Sequence, residues 1–451
     1  MKSRPVPRIL LVNPWIHDFA AYDFWARPLG LLTIAAVLRE HKIEVDYLDC
    51  LNRFHPKAPP SNPNARRGRG PYLKTRIPHP GGLTDIPRHF CRYGIDPEWF
   101  KEDLQAVPEP DLILVTSSMT YWYPGLQETI QLLRQVYPEV PILLGGIYAT
   151  LCRDHAEAVS GADRVFPGTD ILNILDLIAE YTGYSVEPRF DPNAPDTWPD
   201  PALDLQQTIP FAPLLTSRGC PFACAYCASR FLEPNRRVRS PKRVMAEIRH
   251  WHEGHGVDDF VFYDDALLVD SDHHMIPLLR AVIDSGMEVR FHTPNAVHIR
   301  EISEELADLM RTAGFTTLRL GLETAAFEEE SRLDRKVTEA EFKKAIGRLL
   351  RAGFDAGAVG AYLLAGLPGQ TVKAVADSIC IVRESGVTPV PAYYTPIPHT
   401  DLWDRARAVS RYDLGADPVF TNNALLPCWP EFSWEIVSYL KNLARGPSES
   451  A

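Results

Sequence analysis

The chain has 451 residues, of which 45% are hydrophobic and 23% are charged, and its formal net charge is -11. This length exceeds the roughly 250 to 300 residues at which a single core stops growing, so we expect more than one domain. The acidic balance argues against nucleic acid as a partner. No apolar run approaches the roughly 20 residues that a membrane span needs, so the sequence predicts a globular protein.

Five of the eight cysteines are scattered along the chain without paired spacing. They are Cys50, Cys91, Cys152, Cys380 and Cys428. A chain of this length does not need disulfides to hold its core, and isolated cysteines are usually small buried hydrophobic residues. We therefore expect a reducing, cytoplasmic location.

The first part of the chain alternates short apolar runs with helical patterns. The run RILLVN is followed by apolar residues at helical spacing and then by a second strand, and DLILVTSS, PILLGG and RVFPG continue the series. This alternation predicts a doubly wound parallel sheet of the Rossmann or flavodoxin type over residues 1–183. Ligands of such sheets bind at the carboxyl ends of the strands. Those ends carry Asn13, Ser117, Ser118, Gly145 and Gly146.

Two proline-rich segments interrupt this pattern. Residues 51–100 contain nine prolines, and nine Lys or Arg against three Asp or Glu. A segment of this length is usually a lid, a binding loop or disordered, and its basic excess suits either an anionic substrate or a solvated surface. A second proline-rich stretch predicts a linker over residues 184–212.

A second series of strands and helices follows the linker. Six candidate strands with helical patterns in the five gaps suit a partial (β/α)6 TIM barrel over residues 213–408, followed by a short C-terminal extension over residues 409–451. The clearest helix begins at Thr338, which forms a capping box with Glu341 and precedes an apolar stripe that includes Leu350. Chemistry in such barrels lies where the strands end.

Three cysteines lie close together in the stretch SRGCPFACAYCASR, namely Cys220, Cys224 and Cys227. Zinc sites usually take four ligands, often from two pairs of cysteines, so zinc at this position needs a remote fourth ligand. Thiolates also hold iron-sulfur clusters, normally with four cysteines to a cluster. Three cysteines would leave one iron of a cubane open to a substrate or cofactor. The residue types alone leave both alternatives open.

The spacing C-x3-C-x2-C, with an aromatic residue before the third cysteine and a place at the end of the first strand of a six-fold repeat, resembles the radical S-adenosylmethionine (radical SAM) enzymes. The resemblance covers about residues 211–408. It implies a 4Fe-4S cluster on the three cysteines and S-adenosylmethionine at the open iron. It further implies reductive cleavage of that cofactor to a 5′-deoxyadenosyl radical, with flavodoxin or ferredoxin as electron donor.

The same resemblance implies residues that contact S-adenosylmethionine. FVFYDDALL resembles the segment whose acidic residue meets the methionine amino group, LRLGLET the region near the ribose, and AYLLAGLPGQ the glycine motif near the adenine. The implied residues are Tyr226, Asp264, Asp265, Asn295, Glu323 and Gly366. Simpler interpretations are packing against the barrel wall for Tyr226, a helix N-cap for Asp265 and a plain turn for Gly366.

The N-terminal part resembles the cobalamin-binding domain of one class of these enzymes, and the strand-end residues named above carry that resemblance. They are implied to border the nucleotide tail of cobalamin. The D-x-H-x-x-G signature that supplies a histidine to cobalt is absent, and the spacing of His17 does not replace it. YTPIPHTDLW resembles a later segment of this class, with His399 where glycine is usual. The alternative to a cobalamin site is a degenerate domain that shapes substrate access.

These resemblances predict a radical SAM enzyme, most simply a cobalamin-dependent methyltransferase acting on an unactivated carbon of a small molecule, a lipid or a peptide. One alternative is a radical SAM enzyme that performs a cyclisation or rearrangement. The alternative from another class is a non-catalytic iron-sulfur or zinc protein. The sequence assigns no catalytic acid or base.

Overall fold

The computed structural model comprises two compact units. The residues it describes are 6–327, 337–429 and 433–446. The first unit extends to Pro210 and includes the short segment Asp417–Val419, whereas the second comprises Phe211–Ala416 and continues from Phe420. Within the described ranges, none of the helices combines the length and the apolar character that a membrane crossing requires.

A five-stranded parallel sheet forms the centre of the first unit. Its strands are β1 (Arg8–Asn13), β3 (Glu44–Asp49), β6 (Leu112–Val115), β7 (Ile142–Leu144) and β8 (Arg164–Val165). Their spatial order is β3-β1-β6-β7-β8, so the chain leaves β1 first toward one side of the sheet and later continues on the other. Such a reversal opens a crevice at the carboxyl ends of the central strands, here β1 and β6.

Helices cover both faces of this sheet. They are α1 (Leu29–Glu40), α2 (Pro97–Ala106), α3 (Tyr123–Val136), α4 (Ile147–Leu151), α5 (Arg153–Val159) and α6 (Ile171–Thr182). Successive residues of a strand point to opposite faces. Accordingly, Leu10 and Val12 pack with α2 and α3, whereas Ile9 and Leu11 pack with α1 and α6. The predicted doubly wound arrangement is confirmed.

The proline-rich insert contains β-strands, and its role as a lid, a binding loop or a solvated surface stays a prediction. A small antiparallel sheet in the order β2-β5-β4 joins it to the start of the chain. Its strands are β2 (Ile16–Asp18), β4 (Lys74–Ile77) and β5 (Phe90–Tyr93). Basic residues of the insert pair with acidic residues outside it, as Arg53 does with Asp23 at 2.9 Å and Arg92 with Glu128 at 2.6 Å. Part of the basic excess therefore balances acidic groups of the same unit.

Six parallel strands that alternate with helices form the centre of the second unit. Its strands are β9 (Ala212–Leu214), β10 (Ser217–Arg218), β11 (Arg237–Val238), β12 (Asp259–Phe262), β13 (Arg290–His292), β14 (Val297–His298), β15 (Phe315–Glu323), β16 (Val359–Ala365) and β17 (Thr388–Tyr393). Six of them follow the order β17-β16-β15-β13-β12-β9, and β14 pairs with β15. This is the six-fold parallel arrangement that the sequence predicts.

The helices of the second unit lie mostly between these strands. They are α7 (Ser229–Leu232), α8 (Pro241–His255), α9 (Met275–Ser285), α10 (Glu304–Thr312), α11 (Glu339–Arg351), α12 (Val372–Glu384), α13 (Trp403–Val409) and α14 (Trp434–Arg445). The predicted capping box between Thr338 and Glu341 begins α11, and Phe342 lies buried on its apolar stripe. Leu350 is 41% exposed, so its assignment to that stripe is wrong.

Candidate functional site

The three clustered cysteines lie on a loop at the carboxyl edge of the second sheet. Strands β10 and β11 pair antiparallel, so they close the longer segment of residues 219–236 that contains this loop. Cys220 and Cys224 are partly buried, Cys227 is exposed, and all three thiols are free of disulfides. We call residues 219–228 the cysteine loop.

The backbone of the cysteine loop turns sharply before its first cysteine. Gly219 has a φ of 76°, in the left-handed region that favours glycine. A Cβ at this position would lie 2.8 Å from the backbone oxygen of Asn235, which any side chain would have to displace. A backbone hydrogen bond of 3.0 Å from Cys227 to the carbonyl of Cys224 closes a second turn. Both turns fix where the thiols emerge from the loop.

The donor set of the loop is three cysteine thiols, the ligand type that holds a 4Fe-4S cluster. In the part of the chain that the structure describes, no group of three or more His, Cys, Asp or Glu side chains is arranged to hold one metal ion. In a 4Fe-4S cluster each thiolate binds a separate iron, so the sulfur atoms need not converge on one point. Ser229 supplies further contacts, with its Oγ at 3.2 Å and its backbone N at 3.4 Å from the Cys227 Sγ.

The two adjacent aspartates after β12 have different surroundings. Asp264 is 2% exposed and accepts hydrogen bonds from Thr216 and Ser217, so its oxygen atoms are occupied within the protein. Burial raises the pKa of Asp264 above its ordinary value, and these hydrogen bonds oppose that effect. Asp265 is exposed as a residue, although partial burial of its carboxyl raises its pKa, and Ser229, just after the cysteine loop, opposes that effect. Only Asp265 of this pair is accessible to a ligand.

Asn295 and Glu323 lie at the same edge of the sheet, after β13 and at the end of β15. Asn295 is exposed, and its Nδ2 donates to the carbonyl of Tyr263, the residue before the aspartate pair. Glu323 is buried, with a φ of 64° that is unusual for a residue other than glycine. The register of β15 against β16 shifts between Gly321 and Glu323, an irregularity that re-aims the side chains beside it.

Gly366 forms a turn directly after β16. Its φ is 99°, its N–H donates to Gln370 Oε1 at 2.9 Å, and a Cβ would lie 2.5 Å from Leu426 Cδ2. Glycine is therefore required by the turn and by the packing of Leu426. A contact of this residue with an adenine stays a prediction.

The segment after β17 packs against the cysteine loop. Tyr226 is partly buried against the apolar cluster that contains Leu402, and the Leu402 N–H donates to the carbonyl of Ala225 at 3.0 Å. His399 adopts a φ of 65°, which glycine would adopt without strain. Its ring lies parallel to that of Phe231 in α7, with centroids 4.0 Å apart. Stacking offsets part of the backbone strain and holds this segment against the helix that follows the last cysteine.

In the first unit, the structure brings several predicted strand-end residues into one cleft. Asn13, Ser117 and Ser118 line it together with aromatic residues. Ser117 Oγ donates to the carbonyl of Gly145 at 2.6 Å, and a Cβ on Gly146 would meet the Ser117 carbonyl at 2.3 Å. Gly146 therefore lets the ends of β6 and β7 approach closely.

The cleft is small, and its outer rim is apolar. Its volume is about 40 Å³, well below the roughly 300 Å³ at which ligand pockets begin. Met119 and Ile147, which follow β6 and β7, are 43% and 42% exposed. His17 is not part of this lining, and its Nε2 lies 2.7 Å from the Glu128 carboxylate. Met119 lines the cleft whereas Ile147 does not, and entry of a nucleotide into so small a cleft requires side-chain movement.

Sequence reasoning missed several residues of the second site. Thr216, Ser217 and Ser229 flank the cysteine loop, and two hydroxyl residues between an apolar strand and that loop were an available signal. His274 reaches Thr216 Oγ1 at 2.7 Å across the unit, and Phe231 stacks on His399. No local sequence pattern predicts either of these long-range contacts.

Comparison with known proteins finds a family model that matches the second unit. Residues 214–379 match the family model described as the radical SAM superfamily. Cytidylyl-2-hydroxyethylphosphonate methyltransferase of Streptomyces wedmorensis is 22% identical in an alignment of length 455. The alignment covers 85% of this chain and 78% of that protein. An uncharacterized methyltransferase of Pyrococcus horikoshii is 24% identical over 331 residues, which cover 66% and 70%.

A solved structure resembles the fold over most of the chain. It is the radical S-adenosylmethionine methyltransferase TsrM from Kitasatospora setae, with cobalamin and a 4Fe-4S cluster bound. The two chains are 16% identical, the match covers 90% of this chain and 80% of TsrM, and the TM-score is 0.65. At this identity the likeness concerns the fold.

Proposed function

We propose that this chain, a radical SAM enzyme that carries the superfamily domain over residues 214–379, is a cobalamin-dependent methyltransferase. Its substrate class is an unactivated carbon of a small molecule, a lipid or a peptide. The observation that carries the proposal is the cysteine loop, with three cysteine thiols outside any disulfide at the carboxyl edge of a six-fold parallel sheet. The methyltransferase names of the relatives and the fold of TsrM support the choice of reaction.

In this proposal Cys220, Cys224 and Cys227 would hold three irons of a cluster. S-adenosylmethionine would complete the coordination of the fourth iron. When bound, the cluster supplies the electron that splits the cofactor to a 5′-deoxyadenosyl radical. Asp265 and Asn295 are exposed at the same edge and offer a carboxylate and an amide to the polar groups of the cofactor. Asp264 has no such role, because its oxygen atoms are occupied by Thr216 and Ser217.

The first unit would hold cobalamin at the carboxyl ends of β1, β6 and β7. Gly145 leaves open space, since the nearest atom to a Cβ there belongs to Phe166 at 3.8 Å. The exposed side chains of Met119 and Ile147 would contact a flat ring, and Ser118 is exposed beside them. When bound, cobalamin supplies a carrier for the methyl group.

The methyl group of S-adenosylmethionine provides the direct test of this reaction class. Cluster-loaded protein with cobalamin is reduced anaerobically by dithionite in the presence of S-adenosylmethionine that carries a deuterated methyl group. We expect the label to appear on cobalamin. Formation of 5′-deoxyadenosine without transfer of label would instead identify the cyclase or rearrangement alternative, and neither product would identify a non-catalytic protein.

Cobalamin binding is tested with a steric variant and a matched control. Gly145→Leu places a side chain in the open space at the strand ends, and its backbone is not in the left-handed region. Gly30→Leu places the same side chain on an exposed position of α1 with nothing within 4 Å. We expect wild type and Gly30→Leu to bind about one equivalent of cobalamin, seen as corrin absorbance, and Gly145→Leu to bind at least about tenfold more weakly. Wild type without corrin absorbance would refute the cobalamin site.

Flavodoxin or ferredoxin would act as the electron donor, and a cytoplasmic location suits an enzyme that needs reduced thiols. The electron donor and the cytoplasmic location are both part of the proposal. Replacement of dithionite by reduced flavodoxin tests the first, with formation of 5′-deoxyadenosine as the expected result.

A further inference from the structure

The carboxylate of Asp264 is engaged entirely by the two residues that lead into the cysteine loop. Its Oδ1 accepts from the Ser217 N–H at 2.6 Å, from Ser217 Oγ at 2.7 Å and from Thr216 Oγ1 at 2.7 Å. Its Oδ2 accepts from the Thr216 N–H at 3.0 Å. An ionised carboxylate has about four acceptor positions, two on each oxygen, so Oδ1 is fully engaged, and the remaining position on Oδ2 is closed to solvent because Asp264 is 2% exposed.

His274 extends this network from the other side of Thr216. The Nε2 of His274 lies 2.7 Å from Thr216 Oγ1. The Thr216 hydroxyl has a single proton and donates it to Asp264, so His274 Nε2 carries the proton of the second bond. His274 is 2% exposed, and burial lowers its pKa to about 4, which keeps the ring neutral near pH 7. A neutral ring with its proton on Nε2 makes a fixed, directional donor.

The network ends close to the first cluster ligand. Thr216 and Ser217 are followed by Arg218, Gly219 and then Cys220, and Ser217 pairs with Val238 of β11. Because Asp264 binds the backbone N–H groups of both Thr216 and Ser217, it restricts the path of the chain just before the sharp turn at Gly219. The neighbouring Asp265 is exposed and takes no part in these four hydrogen bonds. Of the two aspartates, it is therefore Asp264 that holds the start of the loop.

We propose that Asp264 is a positioning residue of the cysteine loop, supported by Thr216 and His274, and that only Asp265 of the aspartate pair contacts S-adenosylmethionine. This inference rests on the proposed function, because it assigns the cluster to the cysteine loop. It separates two neighbouring residues of the same charge into one that orients a cluster ligand and one that faces the cofactor.

Asp264→Asn and Asp265→Asn form a matched pair for the test. Each is reconstituted anaerobically with iron and sulfide, and cluster content, the electron paramagnetic resonance (EPR) spectrum and S-adenosylmethionine affinity are measured. In Asp264→Asn one carboxylate oxygen becomes an amide N–H, which cannot accept from Thr216 or Ser217. Loss of one hydrogen bond to a charged group changes an equilibrium constant by about tenfold. We therefore expect about tenfold faster loss of iron to a chelator and an altered EPR spectrum before S-adenosylmethionine is added. In Asp265→Asn we expect wild-type cluster retention and weakened binding of the cofactor.

A second pair of variants covers the case in which Asp264→Asn does not fold. Thr216→Val keeps the shape of the side chain but removes the hydroxyl between Asp264 and His274, and Thr216→Ser restores it. We expect faster iron loss in Thr216→Val and wild-type retention in Thr216→Ser. The inference is overturned if Asp264→Asn or Thr216→Val keeps the iron content and EPR spectrum of wild type, or if Asp264→Asn loses only cofactor binding. If wild type itself assembles no cluster, the proposed function fails instead.

Discussion

Substitution of the glycine before the first clustered cysteine tests whether the backbone of the loop sets the cluster site. In Gly219→Ala the new Cβ would lie 2.8 Å from the Asn235 oxygen and 3.0 Å from the Glu233 oxygen, so the chain must recede by about 0.6 Å to reach ordinary contact at 3.4 Å. The φ of 76° adds the strain of a left-handed alanine, about 1 to 2 kcal/mol. With the displaced contacts, we expect a total cost of about 3 kcal/mol.

The displacement is expected to reach Cys220, the next residue. Functional constellations tolerate errors of about 0.5 Å, so a shift of this size is enough to disturb a cluster ligand. Gly256→Ala is the matched control, because Gly256 has a φ of 67° and nothing within 4 Å of a Cβ. It shares the conformational strain without the clash and lies beyond α8, away from the cysteine loop.

Iron and sulfide content after anaerobic reconstitution, together with thermal unfolding of the cluster-free protein, provides the assay. We expect both variants to unfold at lower temperature than wild type, and only Gly219→Ala to lose most of its cluster. The reasoning is refuted if Gly219→Ala assembles as much cluster as Gly256→Ala, since the backbone contacts of Gly219 would then not position Cys220.

Two further predictions concern the core of the second unit and the cluster itself. Burial alone would raise the pKa of Asp259, but hydrogen bonds from Arg290 and His292 lower it to about 2, so ionised Asp259 contributes about 2 kcal/mol of stability above pH 4 that is lost as pH falls toward 2. Asp259→Asn should therefore cost about 3 kcal/mol in denaturant unfolding at pH 7, and a difference from wild type that did not shrink below pH 4 would contradict this account. Ser229→Ala removes a hydroxyl 3.2 Å from Cys227 Sγ and should lower the cluster potential by roughly 20 to 40 mV in an EPR redox titration, whereas an unchanged potential would show that this contact does not reach the cluster.

Elements that depend on local patterns could be predicted from the sequence. The run RILLVN forms β1 over Arg8–Asn13, and the capping box at Thr338 begins α11. Each pattern spans only a few residues, so burial periodicity and end-capping chemistry identify it. The cysteine loop was identified for the same reason, since its three thiols are close in sequence.

Features that depend on distant pairing could not be predicted in this way. The insert folds because β2 pairs with β5, with Ile16 opposite Tyr93, and no local pattern encodes that register. The sequence likewise left Asp264 and Asp265 equivalent, because it does not show which of the two adjacent side chains turns toward Thr216 and Ser217. Their separation depends on Thr216 and Ser217, about 48 residues earlier in the chain.

Formation of 5′-deoxyadenosine tests the central claim most directly. Reconstituted wild-type protein, Cys224→Ala and Cys380→Ala are incubated anaerobically with dithionite and S-adenosylmethionine, and the product is measured by mass spectrometry. Cys380 is a partly buried free cysteine of α12, outside the motif, so its loss controls for the removal of a thiol. We predict 5′-deoxyadenosine from wild type and Cys380→Ala and none above background from Cys224→Ala. Equal amounts from wild type and Cys224→Ala, or none from wild type with a full cluster, would contradict the account.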